Sequence, residues 1–274
     1  MIKVVIQIAD VHIHNLQRHM EYAEQIEKLT EMCKRIVAPY KKEEARILIC
    51  GDLVHQKNDI SNELIVFAST FLRQLSQICK VLIYSGNHDL LVKNKSRLDT
   101  LTGIFETAMF DNVTYLDMCS EYKSSCIVDD NITWALYSIH DSFNKPDIET
   151  ARLNYSSNTI VGLYHGVVVG AQLFNGFVAE NGMDGDLFEG CDMVMAGDIH
   201  KRQSIKRGDV EIVYPGSLIQ QNYGETITQH GFEVWDIQNK THQFVELPSD
   251  YGFYNYEISS IEDIDNDKEK LINY

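Results

Sequence analysis

Apolar residues follow two alternating rhythms over the first ninety positions. Ile2 to Ala9 is a near-continuous apolar run, as expected for a strand buried on both faces. Leu16, Met20, Ala23, Ile26, Cys33, Ile36 and Val37 then recur close to helical spacing, and Pro39 marks the stop. Arg46 to Cys50 is a second strand. Leu64, Phe67, Ala68, Phe71, Leu75 and Ile78 form a second amphipathic helix with Ser61 as its N-cap, and Lys80 to Tyr84 is a third strand. This β-α-β-α-β order predicts a parallel sheet with right-handed crossovers.

Arg97 to Phe110 reads as a third helix, with Leu98, Leu101, Ile104, Phe105 and Met109 on one side. From Val113 the pattern shifts to short strands at Val113–Leu116, Ile132–Ile139, Thr159–Tyr164, Met193–Ala196, Val210–Tyr214, Phe232–Ile237 and Gln243–Leu247. His140 to Ser157 and Asn175 to Gly190 are polar and read as loops. Phe253 to Ile258 reads as a strand, and Ser259-Ser260-Ile261-Glu262 as a capping box opening a helix. Residues 1–247 are therefore expected to form one α/β domain, and residues 248–274 the beginning of a small α+β cap domain that the chain does not complete.

Composition narrows the classes. No apolar run approaches the roughly 18 residues that a membrane span needs. The first residues run from a strand straight into Asp10, unlike a secretion leader. The six cysteines form no C-x-x-C pair and mostly sit in apolar runs, which fits reduced core thiols in a cytoplasmic setting. Against 40 acidic residues stand 24 Lys and Arg, a net charge of −16, which argues against broad nucleic-acid binding through a basic surface. A local site whose positive charge comes from metal ions remains compatible with that charge.

Chemistry concentrates where the apolar runs end. Five segments carry the same residue types: Asp10-x-His12, Gly51-Asp52-x-x-His55, Gly86-Asn87-His88-Asp89, Tyr164-His165-Gly166 and Gly197-Asp198-Ile199-His200. In a folded sheet their polar tips should converge on one edge. Carboxylate, imidazole and amide oxygen without thiolate suit hard or borderline ions. Asp10, His12, Asp52, Asn87, His165, Asp198 and His200 are too many ligands for one transition metal and suit two ions bridged by a carboxylate, with Asp52 as the expected bridge. Lys57, Lys93, Lys95, Arg97, Lys201 and Arg202 follow these motifs and are candidate contacts to a phosphate backbone.

The motif order resembles the calcineurin-like metallophosphoesterase superfamily, and its details are most similar to SbcD-type nuclease subunits of double-strand-break repair complexes, viral forms included. Tyr214-Pro215-Gly216-Ser217-Leu218, Tyr223-Gly224-Glu225 and His230-Gly231-Phe232 resemble the segment closing the SbcD catalytic domain. The resemblance spans about residues 1–247. It implies a four-layer α-β-β-α sandwich and two divalent ions, usually manganese. Asp10, His12, Asp52 and His200 would hold one ion, and Asp52, Asn87, His165 and Asp198 the other. His88 would serve the leaving oxygen with Asp89 orienting its ring, and His55 would help position the scissile phosphate. It further implies 3′-to-5′ exonuclease and single-strand endonuclease activity on DNA, a coiled-coil SbcC-type ATPase partner and a homodimer. Such relatives commonly have histidine where this chain has Asp198, so a stronger preference for manganese or magnesium is expected. Competing expectations are a phosphatase or small-molecule phosphodiesterase of the same superfamily, and a non-cleaving metal-binding scaffold for the ATPase.

Overall fold

The structure, a computed structural model, describes residues 1–57, 59–94 and 96–254. Its first sheet grows from the expected alternation: β1 (Val4–Ile8), α1 (His19–Val37), β2 (Ala45–Cys50), α2 (Asn62–Ser76), β3 (Lys80–Tyr84), α3 (Thr100–Thr107) and β4 (Val113–Tyr115). These four strands pair in parallel in that order. After a short α4 (Leu116–Cys119) the chain crosses to a second sheet: β5 (Ser125–Asp129), β6 (Ile132–Tyr137), α5 (Ile148–Asn154), β7 (Thr159–His165), β8 (Met193–Gly197), β9 (Gln203–Arg207) and β10 (Val210–Tyr214). It then returns with β11 (Gly231–Asp236) and β12 (Thr241–Glu246) to complete the first. The two six-stranded sheets run β12-β11-β1-β2-β3-β4 and β5-β6-β7-β8-β10-β9.

Strand alternation sorts side chains into three cores. Val4, Ile6 and Ile8 of β1 face the layer of α1 and α2, with Ile26, Leu29, Phe71 and Leu75. Val5 faces the other way, with Leu48, Leu82, Trp134, Leu163 and Met195, into the interior between the sheets. The far side of the second sheet packs Tyr137, Tyr164 and Val194 on Ile148 of α5 and on Phe188. The result is the expected α/β architecture, two mixed sheets flanked by helices. Gln7, fully buried on the intersheet face of β1, donates to the carbonyls of Ala196 (3.1 Å) and Val213 (3.0 Å) and accepts from Trp235 Nε1 (2.8 Å). One amide thus joins three strands from both sheets.

Some boundaries differ from expectation. The third helix covers Thr100–Thr107 and not Arg97–Phe110, because the Asp99 side chain caps the Thr102 N–H at 2.6 Å and fixes the start. Leu98 and Met109, outside it, are 79% and 93% exposed. The polar stretch 140–157 contains α5, capped by Asp147 at the Thr150 N–H (3.0 Å). Strands β5 and β9 are edge strands with mixed burial, so their apolar signal is weak. The expected cap strand and helix fall, beyond Tyr254, outside the described residues. No described helix is long and apolar enough to cross a membrane.

Candidate metal centre

Because β1, β2 and β3 are parallel, their C-terminal ends lie side by side, and the ends of β7 and β8 meet them from the facing sheet. Hydrogen bonds tie the two edges. His165 Nδ1 donates to the Cys50 carbonyl at 2.7 Å, and the Asp198 N–H reaches both Asp10 carboxylate oxygens at 3.1 Å. The ends of β1, β2 and β8 break sharply here: Asp10, His12 and Asp52 all sit at φ 51° and Asp198 at 91°, in the left-handed region. Such backbone persists where the surroundings over-determine it and is common at functional sites. Gly51 (φ 78°) has a further reason to be glycine, since a Cβ there would lie 2.8 Å from the Gly86 backbone. The two loops therefore touch through their main chains.

The structure brings the expected side chains together. Ligand atoms of Asp10, His12 and His200 lie within 4.8 Å of one another, as do those of Asp10, Asp52 and His165 and those of His12, His55 and His88. His12 Nε2 and His200 Nε2 face each other at 3.0 Å. The two oxygens of Asp52 look different ways, Oδ2 to His12 Nε2 (3.5 Å) and Oδ1 to His165 Nε2 (3.4 Å). Asp10 is shared between two clusters, where the resemblance placed it with one ion. Asp198 stands at the margin, its Oδ1 accepting from Asn87 Nδ2 (2.8 Å) and lying 3.8 Å from His165 Nε2.

Two expectations change. Asp89 does not orient the His88 ring: its carboxylate, fully buried, accepts from the Gly86 N–H (2.8 Å) and the Val54 N–H (3.2 Å), clamping the β2 and β3 loops together. The ring is held by its own Nδ1, which donates to the His55 carbonyl at 2.6 Å. Arg202, expected on a phosphate path, instead bonds buried Glu233 (3.1 Å) and lies over the Phe244 ring (4.4 Å). Lys57, Lys93 and Arg97 are exposed, Lys201 lies beside His200 and bonds Gln172 (3.3 Å), and Lys95 falls outside the described residues. Two residues went unassigned in the sequence. His14 stacks on His55 at 4.0 Å, and Glu225 accepts from His200 Nδ1 at 2.7 Å. His14 stood in the D-V-H-I-H run, whereas the Glu225 contact needs the fold.

Burial and mutual charge set the ionisation. Burial pushes Asp10 up to about 7 despite the nearby His165 and His200 imidazoles. Burial also acts to raise Asp52, yet His165 and His12 beside it outweigh burial and hold it below the usual carboxylate range. His165 is the converse: burial lowers it, and Asp52, Asp10 and Asp198 together lift it well above the usual imidazole range. His200 rises to about 9 against burial, through Glu225 and Asp10. Burial drives His12 well down. So protons on imidazoles and on Asp10 balance a buried carboxylate cluster, the task a divalent cation performs better.

Two buried atoms fit that cation directly. His165 Nε2 and Asn87 Oδ1 have no hydrogen-bond partner among the described residues. Such orphans are costly unless something else binds them. With Nδ1 donating to Cys50, neutral His165 carries its lone pair on Nε2, the nitrogen facing Asp52. Beside the cluster a groove of about 320 Å³ opens against Asp198 and His200, walled by Phe174, Lys201 and Asn222.

Residues 3–202 match the family model of the calcineurin-like phosphoesterases. The chain belongs to that family. Members of the calcineurin-like phosphoesterase family hydrolyse phosphoesters with divalent metal ions, and the His and Asp clusters supply candidate sites for them. Uncharacterized protein R555 of Acanthamoeba polyphaga mimivirus is 32% identical over 268 residues, covering 94% of this chain and 19% of that protein. The chain thus spans about a fifth of the length of this curated relative. A solved structure of a novel archaeal phosphodiesterase aligns over 89% of this chain and 99% of its own, with 13% identity and a TM-score of 0.40.

Proposed function

We propose that this chain is a two-metal phosphodiesterase acting on DNA, the nuclease part of an SbcCD-like system with an ATPase partner. The observation that carries the reading is Asp52, whose two oxygens face the imidazoles of two different clusters while His165 Nε2 and Asn87 Oδ1 lie buried without hydrogen-bond partners among the described residues. Asp10, His12, Asp52 and His200 would hold one ion, and Asp52, Asn87 and His165, with Asp198 at their edge, the other. When bound, such ions act as Lewis acids on a phosphate and lower the pKa of water towards neutrality. Manganese is the metal proposed, in line with the oxygen-rich donor set.

The chain's own groups supply the rest. With Nδ1 fixed on the His55 carbonyl, His88 is left with Nε2 to hydrogen-bond or protonate the leaving oxygen. Asp89 holds the main-chain turn that carries His88, and His55 sits between His14 and His88, its rings at 4.0 and 5.2 Å, beside the phosphate path. Arg202, tied to Glu233, thins the cationic path and favours a second reading, hydrolysis of a small phosphodiester.

Purified protein with Mn²⁺ should cut linear duplex and single-stranded DNA. His88→Gln should lower kcat roughly 100- to 10,000-fold while still binding the metal. Hydrolysis of bis(p-nitrophenyl) phosphate with no DNA cleavage would select the small-substrate reading. Metal binding with no hydrolysis of either would leave a scaffold role.

A further inference from the structure

Residues 214–232 drew notice in the sequence but are not used by the ligand scheme. Their geometry converges on His200. Gly216, at φ 84°, passes so close that a Cβ would lie 2.6 Å from the His200 carbonyl, and the Ser217 N–H donates to that same carbonyl at 3.1 Å. Leu218 N–H reaches the Asp10 carbonyl at 3.4 Å. The segment is therefore seated on the main chains of two candidate ligands before any side chain is considered.

Glu225 adds the side-chain contact. Its carboxylate is buried, with its side chain 3% exposed, and is filled by donors on both oxygens. Oε1 accepts from His200 Nδ1 (2.7 Å) and Asn222 Nδ2 (2.7 Å), and Oε2 accepts from the Gln221 N–H (2.9 Å) and Ser217 Oγ (3.2 Å). A carboxylate with so many donors has one orientation. Because it takes the Nδ1 proton, the neutral His200 ring has its lone pair on Nε2, the atom that faces His12 Nε2 at 3.0 Å. Carboxylates behind ligating histidines fix ring and tautomer and raise ligand basicity in this manner.

We infer that Glu225 is a positioning residue for the His200 side of the metal centre, and that the 216–225 segment is a strap that sets how tightly that ion is held. The inference rests on the reading of Asp10, His12 and His200 as a metal site. It predicts unequal consequences for two ions, since neither Asp52 nor His165 touches the strap's carboxylate in the contacts described.

The test is calorimetric titration of the metal-free protein with Mn²⁺ alone, comparing wild type, His200→Ala, Glu225→Ala and Glu225→Gln, with circular dichroism to check folding. Wild type should bind two ions. Glu225→Ala should weaken one of them roughly 10- to 100-fold and spare the other. Glu225→Gln keeps an acceptor for Nδ1 and should recover part of that loss, which separates positioning from a general packing defect. If His200→Ala loses a site but both Glu225 variants bind as wild type does, the inference is wrong and the metal reading stands. If His200→Ala binds two ions unchanged, the metal reading of that cluster fails and the inference with it. Should Glu225→Ala not fold, the folded Gln variant decides alone: undiminished affinity overturns the proposal, and selective weakening of one ion upholds it.

Discussion

Asp198 places a third carboxylate beside Asp10 and Asp52, where burial raises its own pKa. A negative charge there weakens the Lewis acidity of a neighbouring ion and makes its water less acidic. Asp198→His should therefore broaden metal use towards zinc and move the pH optimum of hydrolysis down. The backbone accepts the change, because histidine is among the few residues enriched at positive φ. Metal-dependence and pH–rate profiles check this, and identical profiles for the two proteins would dismiss the idea. At this scale the sequence was informative about which side chains meet at the strand ends and blind to what supports them. Residue type and position at a strand end were enough to single out Asp10, His12, Asp52, His165 and His200. That Asp89 clamps two loops, or that Glu225 lies behind His200, depends on contacts between segments 25 or more residues apart.

Among elements, the central strands were legible because they are apolar on both faces, as β1 and β2 show in having every position buried. Edge strands β5 and β9 have no fully buried position and escaped notice, and α5 is two turns in a polar stretch. Gln7 marks a polar position in an otherwise apolar strand, and its meaning appears only once the second sheet is in place. Gln7→Leu should destabilise the protein by about 1–3 kcal/mol for each group left unsatisfied, among them Trp235 Nε1 and the Ala196 and Val213 carbonyls. Urea unfolding followed by tryptophan fluorescence reads the shift, and an unchanged midpoint would mean those groups find other partners.

For the whole molecule, the two sheets are also joined at the side by charge. Glu233 on β11 takes Arg202 from the start of the second sheet's edge and His242 Nδ1 (2.8 Å) from β12, and His242 Nε2 approaches Glu211 on β10 at 3.7 Å. The hydrogen bond to Glu233 raises the His242 pKa above its usual value. The stabilisation is thus fully present below the unfolded pKa of about 6.5 and fades as pH climbs through the raised folded value. The Tm advantage of wild type over His242→Gln should be largest at pH 6 and shrink towards pH 9, and a gap that does not change with pH would discount the ion pairs. The strand order also fixes a timetable. β1 lies between β2 and β11, so residues 4–7 wait for residues 233–236 to be made before their second edge is paired. At about 5–20 residues per second a ribosome leaves that edge open for tens of seconds. Chains stopped just before Gly231 should consequently self-associate, as unpaired edge strands do, and sedimentation of such truncations against the full chain would reveal it. Of the described strands, β1 is among the last to have both its edges paired.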